Sequence, residues 1–212
     1  MKTKNKIFNI DENIDHSVEE AARIFFNGGV FIYPSDTIYV FGANPFNSNA
    51  FKKISSIKKI NLLEDYTHLV DSLDTLLKYV EIKNENYYDF LMKIWPNPIS
   101  VIMKLNTQTR KIYGLEKLPF RIPNNKFCLK LLETLRMPLL SESVNHFGKD
   151  PLNSYDIIIQ EFGKDVDAIF YSEKKSYFLK PTVIDLSDDK PNLLSEGKLK
   201  FEEILKQYES HI

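Results

Sequence analysis

Apolar and polar positions along the chain change repeatedly between helical and strand spacing. In the first clear segment, Ser17 and Glu20 stand at capping-box spacing, and apolar residues recur at helical spacing from 18 to 25. This predicts a helix that begins at Ser17 and ends before Gly28. A continuous apolar run at 30–33 is typical of a buried strand, and Pro34 closes it because proline cannot donate to a central ladder. The chain therefore begins with an extended arm, a helix and a core strand.

The same spacing predicts further helices and strands along the whole chain. The helices are predicted at 48–57, 72–80, 84–91, 127–135, 154–162 and 200–209, and the strands at 67–70, 99–105, 118–122, 137–141, 168–171, 182–186 and 193–196. No internal repeat or linker interrupts them, so we expect a single domain over 1–212. It comprises an N-terminal arm at 1–16, a core at about 17–200 and a C-terminal helix at about 200–209. A three-layer arrangement, with helices covering a twisted sheet, is the simplest one.

Composition narrows the class of protein. Hydrophobic residues make up 43%, enough for a substantial core, and 28 Lys and Arg against 29 Asp and Glu give a net charge of -1. This balance excludes a polycationic arm or an acidic tail but leaves a local basic patch open. A single cysteine excludes an intrachain disulfide framework. The segment 1–15 does not read as a signal peptide and no apolar stretch is long enough for a transmembrane helix, so we expect a soluble, cytoplasmic protein without a membrane.

Polar segments follow predicted strands, where open mixed sheets commonly place ligands. Ser35, Asp36 and Thr37 follow the strand at 30–33, and their hydroxyls and turn amides could hold a carboxylate, hydroxyl or phosphate. The simpler alternative is a turn whose side chains satisfy their own backbone. The segment at 140–148 could cradle phosphate with amides and hydroxyls, or could be only a loop.

Single residues add further candidates. Arg121 lies inside an otherwise apolar strand; it could bind a carboxylate or phosphate, or form an ion pair at the edge of the core. Lys58 could touch phosphate, although lysines at a helix C-terminus also serve the helix dipole. Cys128 falls in an apolar helix pattern and is predicted to pack. The four histidines lack metal-ligand spacing and are expected at the surface or in caps. There is no P-loop or dinucleotide-binding motif, and neither Ser35 nor Ser143 has an evident base.

Taken in order, these segments resemble the YrdC family, which includes threonylcarbamoyl-adenylate synthases. The family motif G-G-x-x-x-Y-P-T-D-T-x-Y-G-L-G is similar to residues 28–42. The later motifs K-x-R, P-G-P, R-x-P, S-x-N, S-T-V-V-D-L and R-E-G are similar to segments that begin at Lys58, Pro96, Arg121, Ser143, Pro181 and Ser195. The resemblance covers about residues 17–200, and the joint order of the motifs carries it.

The resemblance implies a mixed α/β (α+β) fold, in which a twisted sheet of parallel and antiparallel strands surrounds a concave, positively charged cavity. It implies a nucleotidyltransferase that joins L-threonine, bicarbonate and ATP into threonylcarbamoyl-adenylate and pyrophosphate. Mg²⁺ would accompany ATP as part of the substrate, with no tightly bound cofactor. Threonylcarbamoyl transferase proteins would then act on tRNA, and related members have been described as binding double-stranded RNA or tRNA.

The resemblance also implies site residues, although it assigns no catalytic side chain and no metal ligand from the protein. Threonine would be bound by Ser35, Thr37, Arg121 and Thr182. The nucleotide would be bound by Lys58, Ser141, Ser143 and Asn145.

The chain departs from the family pattern on the phosphate side. Ile60 and Ser195 replace arginines, Glu64 replaces a lysine, and Pro181 replaces a serine. The YciO-like paralogues also lack the standard K-x-R motif. Two alternatives therefore stay open beside the synthase: a degenerate paralogue that binds nucleotide or double-stranded RNA or tRNA, and one whose cavity is filled by bulky residues such as Phe147. Compensating cations could come from Lys59, Lys117 or Lys198.

Overall fold

One mixed sheet of ten strands runs through the residues that the computed structural model describes, which are 6–59, 66–82, 86–174, 179–188 and 190–209. The strands are β1 (Lys6–Asn9), β2 (Val30–Pro34), β3 (Tyr39–Ala43), β4 (Thr67–Leu69), β5 (Ile99–Lys104), β6 (Lys117–Arg121), β7 (Leu139–Ser143), β8 (Ala168–Tyr171), β9 (Thr182–Asp185) and β10 (Asn192–Ser195). Their order across the sheet is β1-β8-β2-β3-β7-β4-β6-β5-β9-β10. The pairs β1–β8, β2–β8, β4–β6 and β5–β9 are parallel, and the other pairs are antiparallel.

Helices lie between these strands in the sequence and cover the sheet. They are α1 (Ile14–Phe26), α2 (Ser48–Lys58), α3 (Leu73–Leu76), α4 (Asn86–Ile94), α5 (Thr107–Tyr113), α6 (Lys126–Leu135), α7 (Tyr155–Phe162) and α8 (Phe201–Glu209). No helix formed by the described residues is long and apolar enough to cross a membrane.

The central strands have a helix layer on each face because their side chains alternate in direction. Phe31 and Tyr33 of β2 pack in a buried cluster with α1 and α6. Val30 and Ile32 of the same strand pack in a second cluster with α2 and α7. A third cluster joins β5, β6 and β9 to α3, α4 and α8. The expected mixed α/β fold, a three-layer domain with a mixed parallel and antiparallel sheet, is therefore confirmed.

The predicted N-cap of the first helix, Ser17, is wrong by four residues. Helix α1 begins at Ile14, and the side chain of Asn13 caps it by accepting a hydrogen bond from the His16 main chain at 3.0 Å. Ser17 lies inside the helix, where its hydroxyl donates to the Asn13 carbonyl at 2.9 Å. Asparagine is as effective a cap as serine, so the spacing alone did not separate the two.

Three elements were not predicted from the sequence. Strand β1 falls in the segment expected to be an extended arm, and it is held by parallel pairing with β8, more than 150 residues away in the sequence. Strand β3 follows directly after the polar segment at 35–37 and pairs with β2 as a hairpin. Helix α5 is short; Asn106 caps it and Gly114, with a φ of 68°, ends it. Short elements held by tertiary pairing carry little periodicity of their own.

His68 and Ser72 differ in how well the sequence predicted their surroundings. The prediction that His68 lies at the surface or in a cap is wrong, because its side chain is fully buried in β4 between Tyr113 and Phe120. Ser72 does cap α3, as predicted, by accepting from the Thr75 main chain at 3.2 Å. The predicted helix start at 84, the departures at 60 and 64, and His211 lie outside the described residues.

Candidate functional site

The loop between β2 and β3 is organised by Ser35. Its hydroxyl oxygen accepts hydrogen bonds from the main chains of Thr37 at 3.1 Å and Ile38 at 3.2 Å, and donates to the Ile38 carbonyl at 2.7 Å. It also lies 2.9 Å from the Thr37 hydroxyl. The turn therefore satisfies its own backbone, which is the simpler of the two alternatives that the sequence left open.

Arg121 reaches this loop from the end of β6. Only 5% of the residue is exposed, and its guanidinium forms an ion pair with the carboxylate of Asp36. Arg121 Nη1 lies 3.4 Å from the Thr37 hydroxyl, while Asp36 also accepts from the Asn124 main chain at 3.1 Å. We call Ser35, Asp36, Thr37 and Arg121 the loop cluster. The ion pair that the sequence offered as one role of Arg121 is present.

One donor of this guanidinium remains unused. Arg121 Nε is buried and has no hydrogen-bond partner among the described residues. A buried donor without a partner costs free energy unless a water or ligand satisfies it. The loop cluster therefore retains a donor that a carboxylate or carbonyl oxygen of a ligand could take.

Tyr33 and Cys128 pack close to the loop cluster. Burial raises the pKa of Tyr33 well above its usual value, with its hydroxyl beside Ser141. Burial also raises the pKa of Cys128 well above the usual value, and its sulfur lies 3.8 Å from the Pro34 carbonyl. A protonated, buried thiol is a poor nucleophile, in keeping with a packing role. Gly42 is required here, because an added Cβ would lie 2.7 Å from the Tyr33 ring.

A second polar cluster surrounds Lys58 at the C-terminus of α2. The Lys58 side chain is only 1% exposed, and its ammonium nitrogen lies 2.9 Å from a Glu142 carboxylate oxygen. It donates to the Ser143 carbonyl at 2.7 Å, to the Ser143 hydroxyl at 3.2 Å and to the Asn145 side-chain oxygen. We call Lys58, Glu142, Ser143 and Asn145 the lysine cluster. The structure thus brings together three of the four residues predicted to bind the nucleotide.

The register of the sheet places the two clusters on neighbouring strands. Val40, at the start of β3, pairs with Ser143 at the end of β7. The Val144 main chain donates to the Tyr39 carbonyl at 3.1 Å. The loop cluster comes just before the N-terminal end of β3, and the lysine cluster lies around the C-terminal end of β7. Because β3 and β7 are antiparallel, these strand ends are adjacent, and both clusters lie at the same end of the two strands. Ser141, the fourth predicted nucleotide residue, lies two residues earlier on β7, opposite Gly42, and is buried.

Thr182 is fully buried, and its hydroxyl is engaged by the chain that follows β10. It donates to the Leu199 carbonyl at 2.6 Å and accepts from the Gly197 main chain at 3.0 Å. The Leu179 main chain lies 3.5 Å from the Thr37 carbonyl, so the segment before β9 borders the loop cluster. In this arrangement Thr182 positions residues 197–199 beside the loop.

Gly197 permits the close approach of this segment. An added Cβ would lie 2.2 Å from the Lys180 carbonyl oxygen, a distance that real Cβ atoms do not reach. The next residue, Lys198, donates its main-chain N–H to the same Lys180 carbonyl at 2.9 Å. Packing alone therefore requires a glycine at position 197, whether or not this segment contacts a ligand.

A cavity of about 680 Å³ opens beside the loop cluster, and we call it the charged cavity. Ser35 and Asp36 form part of its wall. The N-terminal ends of α1 and α6, residues 172, 174 and 179, and Lys198 form the rest. It is lined by the acidic residues Asp11, Glu12, Asp15 and Asp36 and by the lysines Lys126, Lys174 and Lys198.

The three lysines considered as compensating cations have different surroundings. Lys59 is exposed at the C-cap of α2. Burial raises the pKa of Asp185, but the contacts of this carboxylate with Lys117, at 2.6 Å, and with Ser187 together lower it. Lys198 lines the charged cavity. Phe147 is 65% exposed, so it does not fill a cavity as one alternative required.

Sequence reasoning missed the two carboxylates of these clusters. Asp36 was quoted within the polar loop but given no partner, and Glu142 was not singled out. A signal existed for Glu142, an acid inside a predominantly buried strand between two serines. Its partner could not be identified, because Lys58 lies 84 residues earlier. The described residues contain no group of three or more histidine, cysteine or acidic side chains that could hold a metal ion.

Comparison with known proteins places this arrangement in a family. A family model for Sua5, YciO and YrdC proteins, described as "Telomere recombination", matches residues 23–197. A Pyrococcus abyssi protein named threonylcarbamoyl-AMP synthase is 28% identical over an alignment of 206 residues that covers 94% of this chain and 60% of that protein. The chain thus spans about three-fifths of the length of this relative.

Solved structures agree with the sequence comparison. The crystal structure of Escherichia coli YciO matches with a TM-score of 0.84 and 26% identity, covering 95% of this chain and 100% of that one. P. abyssi Sua5 in complex with L-threonine matches with a TM-score of 0.82 and 26% identity, covering 96% and 59%. With the family model matching most of its length and these folds superposing along it, the chain belongs to the Sua5/YciO/YrdC family.

Proposed function

We propose that this protein forms threonylcarbamoyl-adenylate from L-threonine, bicarbonate and ATP. The P. abyssi relative carries the name of this activity, and a Sua5 structure of the same fold holds L-threonine. Threonylcarbamoyl transferase proteins would receive the product and pass the group to tRNA in the cytoplasm.

The loop cluster is the proposed threonine site. Arg121 would bind the threonine carboxylate through its unused Nε, in addition to its ion pair with Asp36. Ser35 and Thr37 would shape the loop that receives the amino acid, because their hydroxyls already fix its turn. Thr182 would not contact threonine directly; it would hold residues 197–199 in place.

The lysine cluster is the proposed site of the reacting phosphate. Lys58, Ser143 and Asn145 converge there, and Ser141 lies on the same strand. Glu142 offsets the charge of Lys58, so this cluster offers a ligand hydrogen-bonding groups in a fixed geometry but little net positive charge. ATP would arrive with Mg²⁺ as part of the substrate.

The proposed reaction proceeds in two balanced steps. The amine of threonine attacks the carbon of bicarbonate, and loss of water leaves a carbamate. A carbamate oxygen then attacks the α-phosphorus of ATP; a new P–O bond forms, the bond to the β-phosphate breaks, and pyrophosphate leaves. The protein's contribution is to hold the reactants in line and to stabilise developing charge.

One observation supports the proposal most directly. The loop cluster and the lysine cluster, both expected from the sequence motifs, lie at the same end of β3 and β7, in a fold that matches a relative solved with L-threonine. The test is pyrophosphate release from ATP by the purified protein, with threonine and bicarbonate added together or singly. We expect release only when both are present. P. abyssi synthase serves as the positive control, and no release by this protein beside an active control would overturn the proposal.

A second candidate function is that of a paralogue that binds nucleotide, double-stranded RNA or tRNA without making the adenylate. It is favoured by one observation: the buried cations of both clusters already face carboxylates of the same chain. The full-length match to YciO is compatible with it. This function predicts nucleotide or RNA binding in equilibrium dialysis with no threonine-dependent release of pyrophosphate.

A further inference from the structure

Among the described groups that accept from Lys58, the Glu142 carboxylate alone carries a charge. One of its oxygens lies 2.9 Å from Lys58 Nζ, and the Lys58 side chain is 1% exposed. The other acceptors are neutral: the Ser143 carbonyl at 2.7 Å, the Ser143 hydroxyl at 3.2 Å and the Asn145 side-chain oxygen. A carboxylate of the chain therefore already occupies a position beside the ammonium group that an anionic ligand would take.

The neutral acceptors are held in place by further contacts. The Ser143 carbonyl belongs to the main chain of β7, and Ser143 pairs there with Val40 of β3. The Asn145 side-chain nitrogen donates to the carbonyls of His146 at 3.1 Å and Lys149 at 2.8 Å. These acceptors can therefore leave the ammonium group only if the pairing of β7 or the hydrogen bonds of the following loop also break.

Glu142 can leave without disturbing the strand. Its side chain is 16% exposed, so rotation about its own torsions can turn the carboxylate toward water while β7 stays paired with β3. The Ser143 hydroxyl lies 3.2 Å from Glu142 but also 2.7 Å from the Asn145 side-chain oxygen, which can accept its proton. After such a rotation, Lys58 still has three acceptors for its three donors.

The rotation removes the counter-charge of a buried ammonium group. Leaving a buried charge without its partner is costly, so the ion pair favours the position of Glu142 that we observe. A ligand that brings a phosphate group restores the negative charge and supplies three strong acceptor oxygens. An uncharged ligand does not. The exchange at Lys58 therefore admits anions, and it weakens their binding by the free energy needed to separate Glu142 from Lys58.

We propose that Glu142 is an internal competitor at the lysine cluster: its carboxylate holds the place of a ligand phosphate on Lys58 and turns toward solvent when that phosphate binds. The inference rests on the proposed function, which assigns the reacting phosphate to this cluster. It deepens that function by naming the residue that limits the affinity of the site and excludes uncharged ligands from it.

The test is calorimetric titration of the full chain with inorganic pyrophosphate in the absence of divalent cations. Glu142→Gln keeps the size of the side chain and an acceptor oxygen but removes the competing charge. We expect this variant to bind pyrophosphate about tenfold more tightly than the parent, because a charge-assisted contact no longer has to be broken. Glu161→Gln is the matched control: it removes a carboxylate that lies 2.7 Å from His146, outside the lysine cluster, and should match the parent.

A double variant shows whether the gain acts through Lys58. In Lys58→Met/Glu142→Gln neither charge remains, and removing both partners of a buried pair is tolerated better than removing one. Thermal denaturation should therefore show a folded protein, which should bind pyrophosphate no more tightly than the parent. A gain that persists in the double variant would overturn the proposal, because it would arise elsewhere in the chain.

The remaining outcomes separate this inference from the proposed function. Equal affinity of Glu142→Gln and the parent, an equal gain in Glu161→Gln, or no binding to Glu142→Gln at millimolar pyrophosphate overturns the competitor role, even if the parent releases pyrophosphate from ATP. If Glu142→Gln gains affinity through Lys58 while the parent releases no pyrophosphate with threonine and bicarbonate, the competitor role stands and the synthase proposal fails.

Discussion

The loop cluster and the lysine cluster both bury one cation against one carboxylate of the same chain, but they differ in what remains for a ligand. Lys58 has three N–H donors and faces four acceptor groups of its own chain, so a phosphate bound there would have to displace one of these acceptors. Arg121 has five donors and keeps Nε without a partner. We therefore call the lysine cluster closed, because every donor of its cation has an acceptor in the chain, and the loop cluster open, because its cation keeps one donor without a partner. Counting the donors of a buried cation distinguishes the two cases.

The largest expected effect comes from breaking the closed cluster. Lys58→Met leaves the Glu142 carboxylate, which is 16% exposed, without its cation. We expect the free energy of unfolding to fall by about 4 kcal/mol, as is usual when one partner of a buried pair is removed. Urea denaturation measures it. The control is Lys59→Met, the adjacent exposed residue, and equal stability of the two variants would contradict the assignment.

A pH change tests the strand between the clusters. His68 on β4 pairs with Leu140 of β7 and with Phe120 of β6, and burial lowers its pKa to about 4. The unfolded chain has a histidine pKa of about 6.5 and binds the proton first, so stability is full above pH 6.5 and falls toward pH 4. The expected loss is about 3 kcal/mol.

The measurement for His68 is the free energy of unfolding as a function of pH in the parent and in His68→Phe. The variant should lack this part of the slope between pH 6.5 and 4. His16→Gln, at an exposed site, should keep the parental slope. A parental slope in His68→Phe would show that other groups produce the dependence.

Removing the cation of the open loop cluster should lower the free energy of unfolding by less than Lys58→Met does, but it should abolish ligand binding. In Arg121→Met, Asp36 loses its cation but keeps the main-chain hydrogen bond from Asn124, so we expect a loss of about 3 kcal/mol and a retained fold. Threonine binding, measured by calorimetry, should be abolished. Arg110→Met is the control, because Arg110 forms an exposed ion pair with Glu116 at 3.2 Å. Unchanged threonine binding in Arg121→Met would remove this residue from the site.

The smallest effect is expected from the turn itself. Ser35→Ala removes the acceptor for two main-chain N–H groups, and the free energy of unfolding should fall by about 1 kcal/mol. Ser35→Thr keeps the hydroxyl and should restore parental stability in thermal denaturation. If alanine and threonine behave alike at this position, the hydroxyl does not organise the loop.

The long periodic elements were predictable because their own residues carry the signal. Helix α6 and strand β2 were expected within a residue or two of their observed bounds, since buried apolar positions define them. Strand β1 was not, because it exists through pairing with β8. The start of α1 failed for a different reason, namely that Asn13 and Ser17 are equally plausible caps.

The candidate site was predictable in its cations and hydroxyls but not in its charge balance. Lys58, Ser143 and Asn145 were expected to act together, and they lie together. Asp36 and Glu142 change what those cations can do, and the sequence gives no measure of which acid faces which base across 84 residues or more. The charged cavity likewise depends on the packing of α1 against α6, which no local pattern encodes.

The few hydrogen bonds that attach Gly197 and Lys198 determine how often this stretch detaches from the folded protein. The main-chain N–H groups of these residues bond to Thr182 and Lys180, and the adjacent Leu199 carbonyl accepts from the Thr182 hydroxyl, so detachment of this stretch requires only three hydrogen bonds to open. Such local openings occur more often than global unfolding, and amide hydrogen exchange measures their free energy. Each opening would carry the Lys198 side chain away from the cavity. The exchange rates of these two amides thus set an upper bound on the fraction of molecules whose cavity lacks that cation.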